Sequence, residues 1–146
     1  MKNKLIGEGK RYVFRLIGYN GKILLSNLCD DTCSEVSRML AQWFLKKLPK
    51  ADMYIAKGKI GKRFHDLLLV HDKEVYIIDP TVWQIFKNKK SILIKKTKTV
   101  NDALLALASV YGGKWRISER ITKYSHKEME RLKSVLNKLI VSQKPR

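Results

Sequence analysis

Two cysteines and three histidines are the nucleophile and base candidates of this chain. Cys33 stands at the start of a helix expected over Thr32 to Lys47. In a helix's first turn, unpaired backbone N–H groups and the positive end of the macrodipole favour the thiolate, the reactive form of cysteine. A cysteine nucleophile also needs a base within hydrogen-bond reach and a third group to orient that base. His65 opens the apolar run Phe64-His-Asp-Leu-Leu-Leu-Val70, and Asp79 closes the next one, Val75-Tyr-Ile-Ile-Asp79. A reversal at His71-Asp-Lys73 would bring His65 and Asp79 to the same end of one hairpin, carboxylate beside imidazole. The expected catalytic set is Cys33, His65 and Asp79. Cys29 is the rival nucleophile, but it precedes the helix start. His71, in the turn, reads as solvated, and His126, in a capping box, reads as structural.

Other chemistries fit less well. Cys29 and Cys33 with the distant His65 and His71 match no common zinc spacing, so neither metal nor cofactor is expected. Asp66, Asp72, Glu74 and Asp79 share a hairpin without forming a nuclease pattern. Gly58-Lys-Ile-Gly61 reads as a turn between strands, not as the strand-to-helix loop that cradles phosphate.

The elements that must position these residues read as follows. Val36, Met39, Leu40, Trp43 and Phe44 form one apolar stripe of helical period, which should hold the Cys33 helix against a sheet. Thr32 and Glu35 have capping-box spacing at its start, and Pro49 closes it. Strands are expected at Met53–Ala56, Phe64–Val70, Glu74–Ile78, Ser91–Ile94 and Trp115–Ile117. Arg11–Ile17 and Lys22–Leu25 flank an Asn20-Gly21 turn and read as a further hairpin. Asn101–Tyr111 reads as a helix stopped by Gly112-Gly113, and Ser125 to Glu128 opens a last helix with Met129, Leu132, Leu136, Leu139 and Ile140 on its apolar face. The fold class is α+β: an antiparallel sheet packed with about three helices, in a single domain over residues 1–146.

A cysteine opening a buried helix, a strand beginning with histidine and a next strand ending in Asp79-Pro-Thr81 resemble the papain-like and transglutaminase-like cysteine superfamily. The resemblance runs from Asn27 to Gln84, about two-fifths of the chain. It implies acyl transfer on a protein or peptide amide, of peptidase, amidase, deamidase or transglutaminase type. Cys33 would attack the carbonyl, His65 would carry the proton, and Asp79 would fix the imidazole tautomer. Asn27, six residues before Cys33 as the papain-branch oxyanion glutamine is, would stabilise the oxyanion with the Cys33 amide. Trp83 and Gln84 would line the cleft, with the core as the alternative place for Trp83.

Charge points to a second kind of partner. The chain carries 31 Lys+Arg against 13 Asp+Glu, a net charge of +18, which favours polyanions. Lys87, Lys89, Lys90, Lys95, Lys96 and Lys98 are uninterrupted by any acid, and from Lys114 to Arg146 ten basic residues face three acids. The alternative to an enzyme is therefore a non-enzymatic, basic nucleic-acid-binding or scaffold protein with a degenerate site. Hydrophobic residues at 45% suit a folded chain. No apolar run reaches the roughly 18–20 residues of a membrane span, and no secretory signal opens the sequence. Two cysteines build no disulfide scaffold, so an intracellular protein is expected.

Overall fold

The computed structural model describes residues 1–19, 32–89 and 91–143. Asn27, Cys29, Lys90 and the Asn20-Gly21 turn lie outside the described residues. The chain order is α1 (Asn3–Ile17), α2 (Cys33–Lys47), β1 (Asp52–Ile60), β2 (Arg63–Asp72), β3 (Glu74–Asp79), a 3-10 turn (Val82–Gln84), β4 (Leu93–Thr97), α3 (Val100–Tyr111), β5 (Lys114–Ile121) and α4 (His126–Gln143). The fold is α+β, with one five-stranded antiparallel sheet ordered β4-β3-β2-β1-β5. No helix among the described residues is long and apolar enough to cross a membrane.

The sheet is covered on both faces, which explains the unbroken apolar run of its central strand. Along β2, Leu68 and Val70 join Met53, Ile55, Tyr76 and Ile78 beneath α1, α2 and α4. Leu67 and Leu69 turn the other way, joining Ala56, Val75 and Ile77 beneath Ala103, Leu107 and Tyr111 of α3. Strand side chains alternate between faces, so a strand buried on both must be apolar at every position.

One expected element is overturned. Residues 11–17 belong to α1, not to a hairpin strand. Gly9, Val13 and Ile17 recur at i, i+4 and i+8 and are buried, with Leu5, Ile6, Tyr12 and Leu16 packed beside them. This helical period extends further along the chain than the alternation of Arg11–Ile17, and it buries more apolar surface. Gly18 ends the helix at φ 71°, a left-handed conformation that glycine adopts without a Cβ penalty.

Two details of α2 also differ. Thr32 is its N-cap, but the Thr32–Glu35 box does not form; the hydroxyl instead accepts a hydrogen bond from Gln84 Nε2 at 3.2 Å. Trp43 is half-buried and stacks on Tyr12 of α1, with ring centroids 5.8 Å apart, while Phe44 faces the core. By contrast, the box at the start of α4 closes both ways, Ser125 N–H to Glu128 Oε1 at 3.0 Å and Glu128 N–H to Ser125 Oγ at 3.1 Å.

Trp83, fully buried and stacked against Phe14, should be the more critical of these tryptophans. Trp83→Ala is expected to cost about 3–5 kcal/mol, as for other buried aromatics, and Trp43→Ala less than half of that. Urea denaturation of the two variants checks the ranking.

Candidate active site

The β2–β3 hairpin builds the first part of the site by register alone. Leu69 pairs with Ile77 and Leu68 with Ile78, so Asp79 ends β3 on the same face as Leu67 and His65. His65 Nε2 lies 2.7 Å from Asp79 Oδ2, with both side chains almost wholly buried. Pro80 then turns the chain, and the Thr81 N–H reaches back to Asp79 Oδ1 at 3.0 Å. The Asp79-Pro-Thr81 sequence thus works as a small clamp in which the carboxylate accepts from the backbone two residues on. The Tyr111 hydroxyl, at the end of α3, donates to Asp79 Oδ2 as well. The buried carboxylate thus has three hydrogen-bond partners, which offset the cost of taking it out of water.

Cys33 is the second side chain that hydrogen-bonds the His65 imidazole and helps to hold it up. With Nε2 directed at Asp79, Nδ1 is the ring nitrogen left for it. Cys33 is a free, half-buried cysteine and the first residue of α2. Arg38 anchors the turn that carries it. The guanidinium donates to the Ser34 carbonyl at 3.2 Å and to Asp66 Oδ2 at 3.3 Å, and also to Ser34 Oγ and Glu119. Asp66 adjoins His65 on β2 and Glu119 lies on β5, so one cation ties α2 to two strands. Ser37 Oγ adds a bond to the Asp66 carbonyl at 3.4 Å.

Aromatic rings wall the imidazole. Tyr111 stands 5.8 Å from the His65 ring, and Trp115 presents its ring edge-on at 6.4 Å. Gly58 lies between His65 of β2 and Trp115 of β5 on one rung of the sheet. A Cβ at Gly58 would come within 2.4 Å of the indole, so only glycine lets Trp115 cross β1 to reach the histidine.

These contacts set the protonation of the site. Burial alone would push the His65 imidazole down. The charge and hydrogen bond of Asp79, aided by Cys33, outweigh it and hold the imidazole up, at about 10. Burial and the neighbouring Asp79 charge both push the Tyr111 phenol upward, so it remains a donor.

Cys33, His65 and Asp79 are therefore brought together, while Asn27 and the rival Cys29 lie outside the described residues. Gln84 is buried and bonded to Thr32, which makes it a tie between the Asp79 turn and the α2 N-cap, and Trp83 is core. His71 lies within β2, opposite Val75, rather than in the turn; the turn is made by Lys73 at φ 61°. Lys87, Lys89, Lys95, Lys96 and Lys98 are all exposed, and Lys96 pairs with Glu74 at 3.5 Å. Lys95 and Lys96, adjacent on edge strand β4, point to opposite faces, and charge at such an edge discourages strand addition. Among the described residues no group of three or more His, Cys, Asp or Glu side chains is arranged to hold a metal. Sequence reasoning missed Tyr111, Arg38 and Trp115. None of the three left a local signal: Gly58, which admits Trp115 beside His65, lies within β1 rather than in the turn expected over Gly58–Gly61.

Comparison with family models, curated proteins and solved structures finds no match to this chain.

The raised imidazole makes stability depend on pH. Its ordinary value is near 6.5 and its folded value about 10. The protonated ring's contribution is therefore full below about pH 6.5 and is lost as pH rises through about 10. The urea midpoint of the wild type should exceed that of His65→Gln most at pH 6, and the gap should shrink steadily towards pH 10. A gap that does not change with pH would contradict the buried ion pair.

Proposed function

We propose that this protein is a cysteine-dependent acyl-transfer enzyme of papain-like or transglutaminase-like type, acting on a protein or peptide amide. The observation that carries this is the buried bond from His65 Nε2 to Asp79 Oδ2, at 2.7 Å, with Cys33 hydrogen-bonded to the same imidazole. Cys33 Sγ, whose proton His65 has already taken up, attacks the carbonyl carbon as the thiolate of a thiolate–imidazolium pair. The tetrahedral oxyanion meets the Cys33 backbone N–H at the start of α2, with Asn27 as the proposed second donor. The C–N bond then breaks, and His65 returns the proton to the departing amine. Water, or a second amine, attacks the resulting thioester and frees Cys33. Asp79 keeps Nε2 protonated, so that Nδ1 faces the sulfur throughout.

Iodoacetamide at pH 6, with the labelled sites mapped by mass spectrometry, tests this reading. Cys33 is expected to react faster than Cys29, and His65→Ala to slow Cys33 by about tenfold or more. Equal labelling of the two cysteines, or unchanged Cys33 reactivity in His65→Ala, would contradict the dyad.

A second proposal is non-specific nucleic-acid contact by the lysine run, supported by the exposure of Lys87, Lys89, Lys95, Lys96 and Lys98. Affinity would then fall steeply with salt, by a logarithmic slope of roughly 0.7–0.9 for each phosphate contacted. Changing these lysines and Lys90 to Gln should flatten that slope in fluorescence anisotropy. Identical curves would exclude the run as the contact surface.

A further inference from the structure

Building on the acyl-transfer reading, we propose that Tyr111 is a positioning residue for the same reaction, its hydroxyl sharing Asp79 with His65 and so limiting how tightly the carboxylate holds the imidazole proton. Asp79 Oδ2 accepts from both His65 Nε2 and the Tyr111 hydroxyl. The other oxygen is held by the Thr81 N–H at 3.0 Å, so the carboxylate stays in place if the phenol oxygen is removed. What changes is the division of its charge. A hydrogen bond given to a carboxylate stabilises the charged form and weakens its pull on other donors. In this reaction His65 holds the proton of the Cys33 thiol before the attack and must later surrender it to the leaving amine. A carboxylate paired with His65 alone favours the holding at the expense of the surrender.

Tyr111 is built to hold that post. It is the last residue of α3, and the Gly112 N–H closes the helix behind it on the Ala108 carbonyl. Its ring packs on Phe86 at 5.3 Å, on Trp115 at 5.2 Å and on His65 at 5.8 Å. The titratable groups acting on His65 are Cys33 from α2, Asp79 from β3 and, through Asp79, Tyr111 from α3. The flanking positions on β1 and β5 are Gly58 and Trp115, neither of which titrates. Tyr111→Phe therefore removes one donor and keeps the ring.

The test is the pH profile of Cys33 alkylation by iodoacetamide in the intact chain. In the wild type, an upper inflection is expected where the imidazolium loses its proton, and it should be absent in His65→Ala. Tyr111→Phe should move that inflection upward by about one pH unit, whatever happens to its urea midpoint. Trp43→Phe, which trims packing between α2 and α1 away from the site, should leave it in place. A Tyr111→Phe protein that loses stability with its inflection unmoved would make Tyr111 a packing residue and overturn the proposal, as would an equal shift in Trp43→Phe. A wild-type profile with no His65-dependent inflection would instead overturn the acyl-transfer reading, and the role of Tyr111 with it.

Discussion

The bond between His65 and Asp79 is the interaction on which the rest of the site depends. Both side chains lie at the end of a sheet covered on both faces, where an unpaired charge would cost several kcal/mol. The pair is sustained by further partners. Thr81 and Tyr111 supply the donors that Asp79 needs beyond His65, and Cys33 hydrogen-bonds the imidazole. Removing one partner would leave a buried group unsatisfied, so the arrangement is held as a unit.

That unit draws on elements from both faces of the sheet. α2, packed over one face, delivers Cys33 from its N-terminus. α3, packed over the other, delivers Tyr111 from its C-terminus. The β2–β3 hairpin between them supplies His65 and Asp79. Arg38 ties the first turn of α2 to β2 and β5 through Asp66 and Glu119, on the face of the sheet that α2 covers. Packing and the site meet here: Leu107 and Ala103 seat α3 on the sheet, and the same seating brings the Tyr111 hydroxyl to Asp79.

Much of this was legible in the sequence, for specific physical reasons. The β2–β3 hairpin could be read because each strand is an apolar run and the reversal between them is short and polar. Its register then followed, and His65 and Asp79 with it. α2 and α4 could be read from stripes of helical period. α1 was misread because Arg11–Ile17 alternates over a few residues and precedes Asn20-Gly21, while the helical period only emerges when Leu5, Ile6 and Gly9 are counted as well. Trp43 was assigned to the sheet interface from its place in the stripe; its partner turned out to be Tyr12 on the helix the sequence had hidden. Tyr111 read only as the last residue before a glycine cap. Its role depends on the tertiary placement of α3 over Asp79, and no local spacing encodes that.

The most direct test of the central claim is the charge state of the His65 ring, read from its side-chain nitrogen resonances in 15N-labelled protein at pH 8. A solvent-exposed histidine is neutral at that pH. If Asp79 and Cys33 hold the ring as described, His65 should appear as an imidazolium with both nitrogens protonated, its Nε2 proton shifted far downfield by the bond to Asp79. Asp79→Asn should return the ring to the neutral form at the same pH. A neutral His65 in the wild type at pH 8, with no low-field proton, would contradict the account.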